Sequence, residues 1–210
     1  MPRVQGHVIN PGYLAVINNP TPLIAKMVLE QLPSEILPDW HKVDAAVRVK
    51  HVRAGDFLFR VEEQHPVVYF VKHGIIKMVY ETMDGKAWIK AFAEEGRFFA
   101  SLTALETNGH TSFSAYAVCN ATVEQLPYKV LLELADTHPA WQRALRRAFE
   151  IYGFRKETRE KELLTLSPEE RYVHFIKDRE RLAERLADKD IAGYIRVTPV
   201  ALSRIKRRVR

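Results

Sequence analysis

At 210 residues, 47% of them apolar and 28% charged, the chain is long enough for one large or two small cores and too balanced in composition to be disordered. Its single cysteine, Cys119, excludes an intramolecular disulfide framework, a Cys-rich zinc site and an iron–sulfur cluster held by one chain's cysteines. The net charge of +6 is uneven: Thr137–Arg210 carries 19 Lys+Arg against 11 Asp+Glu, a balance of +8, while residues 1–136 carry 13 against 15, a balance of −2.

Basic charge gathered in the last third points to a polyanionic partner. Nucleic acid is favoured over a membrane surface, because no terminal helix pairs a Lys/Arg face with a Trp/Phe/Leu-rich one. No apolar run reaches 18 residues and no basic start leads into an apolar leader, so a cytoplasmic protein is expected.

Residues 1–43 give turn signals at Asn10-Pro11-Gly12 and Asn18-Asn19-Pro20 and a short helix over Ile24–Leu32, and no chemistry. From Ala46 to Pro127 the pattern is β. Val47–Val52 alternates with period two, Ala54-Gly55-Asp56 turns, and Phe57–Phe59, Val67–Val71 and Ile75–Tyr80 follow. Asp84-Gly85 is a hairpin signal, since both residues tolerate positive φ in a type I′ turn. Trp88–Phe92, Ser114–Val118 and Thr122–Leu126 complete a set of short strands that predicts a jelly-roll-like barrel or sandwich.

Helix resumes with Tyr128–Ala135. Thr137-His138-Pro139 reads as cap and first turn of a long helix to about Leu163, on which Trp141, Leu145, Ala148, Phe149 and Tyr152 recur at 3–4 spacing. That seam fits a partner helix, and a homodimer is expected. Ser167-Pro168-Glu169-Glu170 is a capping box opening another helix, with Thr165–Ser167 as hinge.

The last stretch, Asp188–Arg210, reads as two short helices with a tight corner. Ile191, Ala192 and Ile195 give the first an apolar face. Thr198-Pro199 supplies N-cap and first position of the second, where Leu202 and Ile205 sit at core spacing. Ser203, Arg204, Arg207 and Arg208 lie opposite. This suits a helix that reads the major groove, although the same residues would serve a solvated basic helix.

In the order β barrel, long helix, hinge and helix-turn-helix, the chain resembles the Crp/Fnr family of bacterial transcription regulators. The resemblance rests on Ala54-Gly55-Asp56, Val71–Lys77, Asp84-Gly85-Lys86, Glu95–Phe98, Ser167–Tyr172 and Lys189–Ile205. It implies an α+β fold: a β-roll sensor domain (1–136), a dimerisation helix (137–164) and a helix-turn-helix domain (165–210). It also implies a homodimer on double-stranded DNA, with RNA polymerase as a further partner. Carried onto this chain, it makes Thr198, Val200, Ala201, Ser203 and Arg204 candidates for reading bases, and Lys189, Arg207 and Arg208 candidates for phosphates. Pro199 and Val200 replace polar readers, and Arg196 stands where the corner has glycine, so a distorted turn is expected. No C-terminal wing is expected after Arg210.

The sensor departs from the family's cyclic-nucleotide pattern. Where the resemblance places a glutamate for ribose and an Arg-Ser/Thr pair for phosphate, this sequence has Ser101, Thr111 and Ser112, and neither Arg nor an acid occurs over 100–105 or 108–119. Without a bidentate arginine a buried phosphate loses a charge-assisted pair, so tight cyclic AMP binding is not expected. Phe98, Phe99, Phe113 and Tyr116 crowd the region, which suits a filled core or an apolar ligand. His51, His65, His73 and Cys119 are too isolated to argue for haem. A His-x-His metal motif is absent, and no nucleophile–base pair appears by spacing, so no enzyme is expected. A ligand-sensing or protein-interaction module without sequence-specific DNA binding is the alternative.

Overall fold

The short strands of residues 48–127 close into two antiparallel four-stranded sheets in the computed structural model, which describes residues 23–33, 35–82 and 87–209. The strands are β1 (Arg48–Val52), β2 (Phe57–Phe59), β3 (Val67–His73), β4 (Ile76–Glu81), β5 (Ala87–Ala93), β6 (Phe98–Phe99), β7 (Ser114–Ala117) and β8 (Ala121–Pro127). One sheet runs β1-β8-β3-β6, the other β2-β7-β4-β5. Their inner faces share a core of Phe59, Tyr69, Val71, Ile76, Met78, Phe99, Phe113 and Val123. Within it Tyr69 and Phe99 stack at 5.1 Å.

The unbroken apolar run of β3 is explained by burial on both faces. Tyr69 and Val71 point into the roll, while Val68 and Phe70 point outward to helices. Those helices are α1 (Ile24–Gln31), α2 (Trp40–Ala46), α4 (Tyr128–Thr137) and the start of α5 (Pro139–Thr165); a one-turn α3 (Leu102–Leu105) lies between β6 and β7. The N-terminus of α1 is held from far along the chain. Glu124 on β8 is fully buried and accepts the backbone N–H groups of Ile24 and Ala25 at 2.9 and 2.8 Å, a carboxylate placed where a helix dipole favours it. Gly74 turns β3 into β4 at φ +91°, where a Cβ would come within 2.6 Å of the Ala121 side chain.

Helix α5 runs unbroken through Gly153 for 27 residues, about 40 Å at 1.5 Å per residue. Thr137 does not cap it. It belongs to α4 and returns its hydroxyl to the carbonyls of Glu133 and Leu134, both at 3.2 Å. The capping box at Ser167 is present in both halves, with Ser167 N–H donating to Glu170 at 2.8 Å and Glu170 N–H to Ser167 Oγ at 3.3 Å. It opens α6 (Pro168–Asp178), followed by α7 (Glu180–Arg185), α8 (Asp188–Ile195) and α9 (Pro199–Val209). Strands β6 and helices α2 and α3 go beyond the sequence expectation. The Asp84-Gly85 turn and the Asn10–Pro20 turn signals lie outside the described residues. Flanking the former, β4 and β5 pair from Ile76↔Ala93 to Glu81↔Ala87, as hairpin strands would.

Candidate nucleic-acid interface and sensor site

Helices α8 and α9 are fixed from their inner faces. Ile191, Ala192, Ile195, Leu202 and Ile205 are all 3% exposed or less. Thr198 Oγ1 accepts the Ala201 N–H at 3.2 Å and Pro199 opens α9, the local start that the Thr-Pro pair predicts. At the corner Arg196 takes φ +65° and ψ +47°, and the Val197 N–H reaches back to the Ala192 carbonyl at 2.9 Å, closing the turn in Schellman fashion. The side chain that strains the turn also helps to hold it, since the Arg196 guanidinium lies 3.9 Å over the Trp88 ring of β5.

Outside that core, Ser203, Arg204 and Arg207 are exposed along α9, Val200 is 64% exposed and Lys189 projects from α8. Among the described residues no carboxylate lies within 4 Å of the Arg204 or Arg207 guanidinium. Arg208 is different: it pairs with Glu169 of α6 at 2.7 Å. Thr198 is exposed but committed to its cap, and Ala201 is half-buried.

This pair of helices is docked on the roll. Lys77 of β4 pairs with Asp190 of α8, both nearly buried. Arg185 of α7 forms a fork with Glu95 at 2.8 and 2.9 Å, and Arg179 pairs with Glu94. Tyr194 packs on Phe92 and Phe175, while Gly193 lets α8 approach Ile89 so closely that a Cβ would sit 3.0 Å away. From α5, Arg159 donates to the Tyr194 carbonyl and covers its ring at 3.9 Å. None of these contacts is visible in local sequence spacing.

The residues expected at an effector pocket, Phe98, Phe99, Ser101, Thr111, Ser112 and Phe113, do not all face one space. Phe99 and Phe113 are core residues inside the roll, whereas Phe98 faces outward beside Phe70. Ser101 is 2% exposed and accepts the Ser112 N–H at 3.0 Å. Thr111 is 1% exposed; it donates to the Arg60 carbonyl and accepts the Glu63 N–H at 3.0 Å. The segment is therefore closed upon itself, its hydroxyls already engaged. Phe98 instead lines an apolar cavity of about 50 Å³ beneath α5, with Ala100, Leu145, Ala148, Phe149 and Tyr152.

The long helix requires one correction. Trp141 is not at its surface: it is fully buried, stacked on Trp40 at 5.6 Å, and donates its Nε1–H to the Pro38 carbonyl at 2.9 Å. Leu145, Ala148 and Tyr152 are half-buried and Phe149 is 43% exposed, so the outward stripe starts one turn later than Trp141.

Sequence reading passed over Lys90, a lysine within the apolar run of β5. The register slips between Met78↔Ala91 and Val79↔Ile89, making Lys90 the extra residue of a β-bulge, a device that re-aims a side chain. Its ammonium stands 4.7 Å from the Phe113 ring, 5.4 Å from Tyr80 and 5.5 Å from Tyr152, and donates to Tyr152 Oη at 3.1 Å. Burial draws it below the ordinary lysine range. Among the described residues no group of His, Cys, Asp and Glu is placed to hold a metal ion, and no helix is long and apolar enough to cross a membrane.

The β-roll, long helix and docked helix pair form a fold that this chain shares with several solved structures. Residues 49–138 match the cyclic nucleotide-binding domain. Among solved structures, FixK2 from Bradyrhizobium japonicum superposes with a TM-score of 0.65 at 22% identity, covering 78% of this chain and 84% of that one. A mutant of CooA from Carboxydothermus hydrogenoformans gives 0.67 at 17%, covering 86% and 83%. The c-di-GMP-responsive global regulator CLP from Xanthomonas campestris gives 0.65 at 15%, covering 80% and 89%. A curated relative, lysophospholipase nte1 of Neurospora crassa, is 27% identical over 116 residues, which are 55% of this chain and 7% of that protein.

Proposed function

We propose that the chain is a homodimeric, DNA-binding transcription regulator: a β-roll sensor over residues 1–136, a dimerisation helix over 137–164 and a DNA-reading unit over 165–210. The observation that carries this reading is the outer face of α9, where Arg204 and Arg207 stand exposed, without carboxylate partners among the described residues, over a core of Leu202 and Ile205. A bidentate Arg–guanine contact separates the right base from a wrong one by about 1–3 kcal/mol, and the neighbouring cations fit phosphates. Dimerisation through α5 sets two such helices about one DNA turn apart on a palindrome-like site. The sensor does not take cyclic AMP in the family's manner, since residues 100–105 and 108–119 carry no arginine for a phosphate and the hydroxyls of Ser101 and Thr111 are engaged.

The test is selection of duplexes from a random pool, followed by binding titrations at two salt concentrations. Enrichment of a palindromic site, with affinity falling steeply in salt, is the expected result. Binding that never enriches a sequence would leave the rival, a ligand-sensing module with a charged surface.

A further inference from the structure

We infer that Val200, in the first turn of α9, recognises the C5-methyl group of a thymine, so that each half-site carries a thymine within about two base pairs of the guanine taken by Arg204. The contact rests on the DNA-binding reading and adds a base identity to it. Val200 lies four positions before Arg204 and seven before Arg207, a spacing that puts all three on one side of the helix, and all three are exposed. Val200 is 64% exposed, a branched apolar group that its own chain leaves largely uncovered. The rest of the first turn has little to offer a base edge. Pro199 has neither an N–H nor a polar side chain. Thr198 Oγ1 accepts the Ala201 N–H at 3.2 Å and is held there as the cap, and Ala201 is half-buried and carries only a methyl. Further along, Lys206 pairs with Asp188 and Arg208 with Glu169. The outward face of α9 therefore presents an apolar tip and, one turn later, a guanidinium.

The major groove offers such a tip one apolar substituent, the thymine methyl; the other groups on base-pair edges there are hydrogen-bond donors and acceptors. Pressed against the N7 and O6 of guanine or the amino group of cytosine, Val200 would strip water from a polar atom and give it no partner. The same side chain thus favours thymine and penalises the alternatives. Spacing limits where the thymine falls. Four helical residues advance about 6 Å along the axis, and successive base pairs are about 3.4 Å apart, so the bases met by Val200 and Arg204 are about one to two base pairs apart. Side chains on a helix tilt toward its N-terminus, and a recognition helix contacts base edges with its N-terminal residues, which turns the short valine toward the groove floor.

The experiment starts from the palindromic duplex selected from the random pool and replaces its thymines one at a time by deoxyuridine, which deletes the methyl and keeps the O4 acceptor. One position in each half-site, next to or one removed from the essential guanine, should lose about fourfold in affinity for the full chain, the worth of one buried methyl-sized group, and about fifteenfold when both half-sites are changed. Val200→Ala should bind the thymine duplex about as weakly as wild type binds the uracil one, and should hardly distinguish the two. Its melting temperature should not fall, since the valine is largely exposed and alanine is the better helix former. Selection repeated with this variant should keep the guanine and lose the preference for thymine. An enriched site whose affinity is the same with uracil at every position, or a Val200→Ala protein that still separates thymine from uracil as wild type does, overturns the valine–methyl contact and leaves the regulator reading standing. A pool that enriches no site overturns the regulator reading, and the contact with it.

Discussion

Lys77 on β4 and Asp190 on α8 form an ion pair whose side chains are only 12% and 8% exposed, so α8 is tied to the roll by a charge pair that water hardly reaches. Removing one partner of such a pair leaves the other buried and uncompensated, which costs about 3–5 kcal/mol. Asp190→Asn should therefore lower stability by roughly 3 kcal/mol and loosen α8 from β5, visible as faster amide exchange in Ile191–Tyr194. The pair also sets a pH dependence. Burial alone would draw the Lys77 ammonium down, but its hydrogen bond to Asp190 and that carboxylate's charge, with Tyr116 beyond, leave it raised above the ordinary 10.5. A raised folded value means the contribution is fully present below the unfolded value and lost as pH rises through the folded one. Melting temperatures of wild type and Asp190→Asn should differ by a constant amount from pH 7 to about 10 and converge above it. A gap that closes near neutrality would remove Lys77 from this role.

The corner at Arg196 holds two opposed effects of similar size. A side chain at positive φ costs about 1–2 kcal/mol, and a solvent-exposed cation over the half-buried Trp88 indole returns about 0.5–1 kcal/mol. Arg196→Gly relieves the first and forfeits the second, so it should be neutral or stabilising by up to about 1 kcal/mol. Arg196→Ala keeps the strain and loses the stacking on Trp88, and should be the less stable of the two. Denaturant midpoints decide the order; an alanine variant above the glycine one would show that the turn carries no strain.

What could be read from the sequence was local. Seven strands were legible because β1 alternates and Gly55, Gly74 and Gly96 mark the turns, and α9 because Thr198 and Pro199 announce it. What could not be read depends on residues far apart. Helix α1 is capped by Glu124, about a hundred positions away, and α2 begins after Asp39 at φ +54° with no side-chain cap to signal it. Strand β6 is only Phe98-Phe99, too short for a period. Lys77 and Asp190 are separated by 113 positions. The period of α5 identified an apolar stripe correctly, but a period cannot say what covers it, and for Trp141 the cover is its own domain.

That division along α5 yields a contrast between folding and association. Trp141→Ala removes a fully buried ring with a satisfied indole N–H and should cost about 3–5 kcal/mol of stability. Phe149, 43% exposed, should cost little when replaced by Glu, yet should convert the protein to monomers in sedimentation velocity runs. A Phe149→Glu protein that remains dimeric would place the seam elsewhere on the helix.

Arg204 and Arg207 lie on one exposed side of α9, three positions apart, and differ in what their loss should do. Arg204 is assigned to a base edge, so Arg204→Ala should weaken the selected site by about 1–3 kcal/mol per half-site and leave binding to unrelated duplex nearly unchanged. Arg207 is assigned to phosphate. Arg207→Ala should weaken all sequences alike and flatten the salt dependence, by about one unit of slope for each half-site. Arg208 already pairs with Glu169, an exposed bridge worth at most about 1 kcal/mol, so Glu169→Gln should free it and strengthen binding slightly at low salt. Fluorescence anisotropy on the selected and a scrambled duplex, at three salt concentrations, reads all three variants. Equal losses on both duplexes for Arg204→Ala would take Arg204 out of the base-reading role, and an unchanged slope for Arg207→Ala would take Arg207 off the backbone.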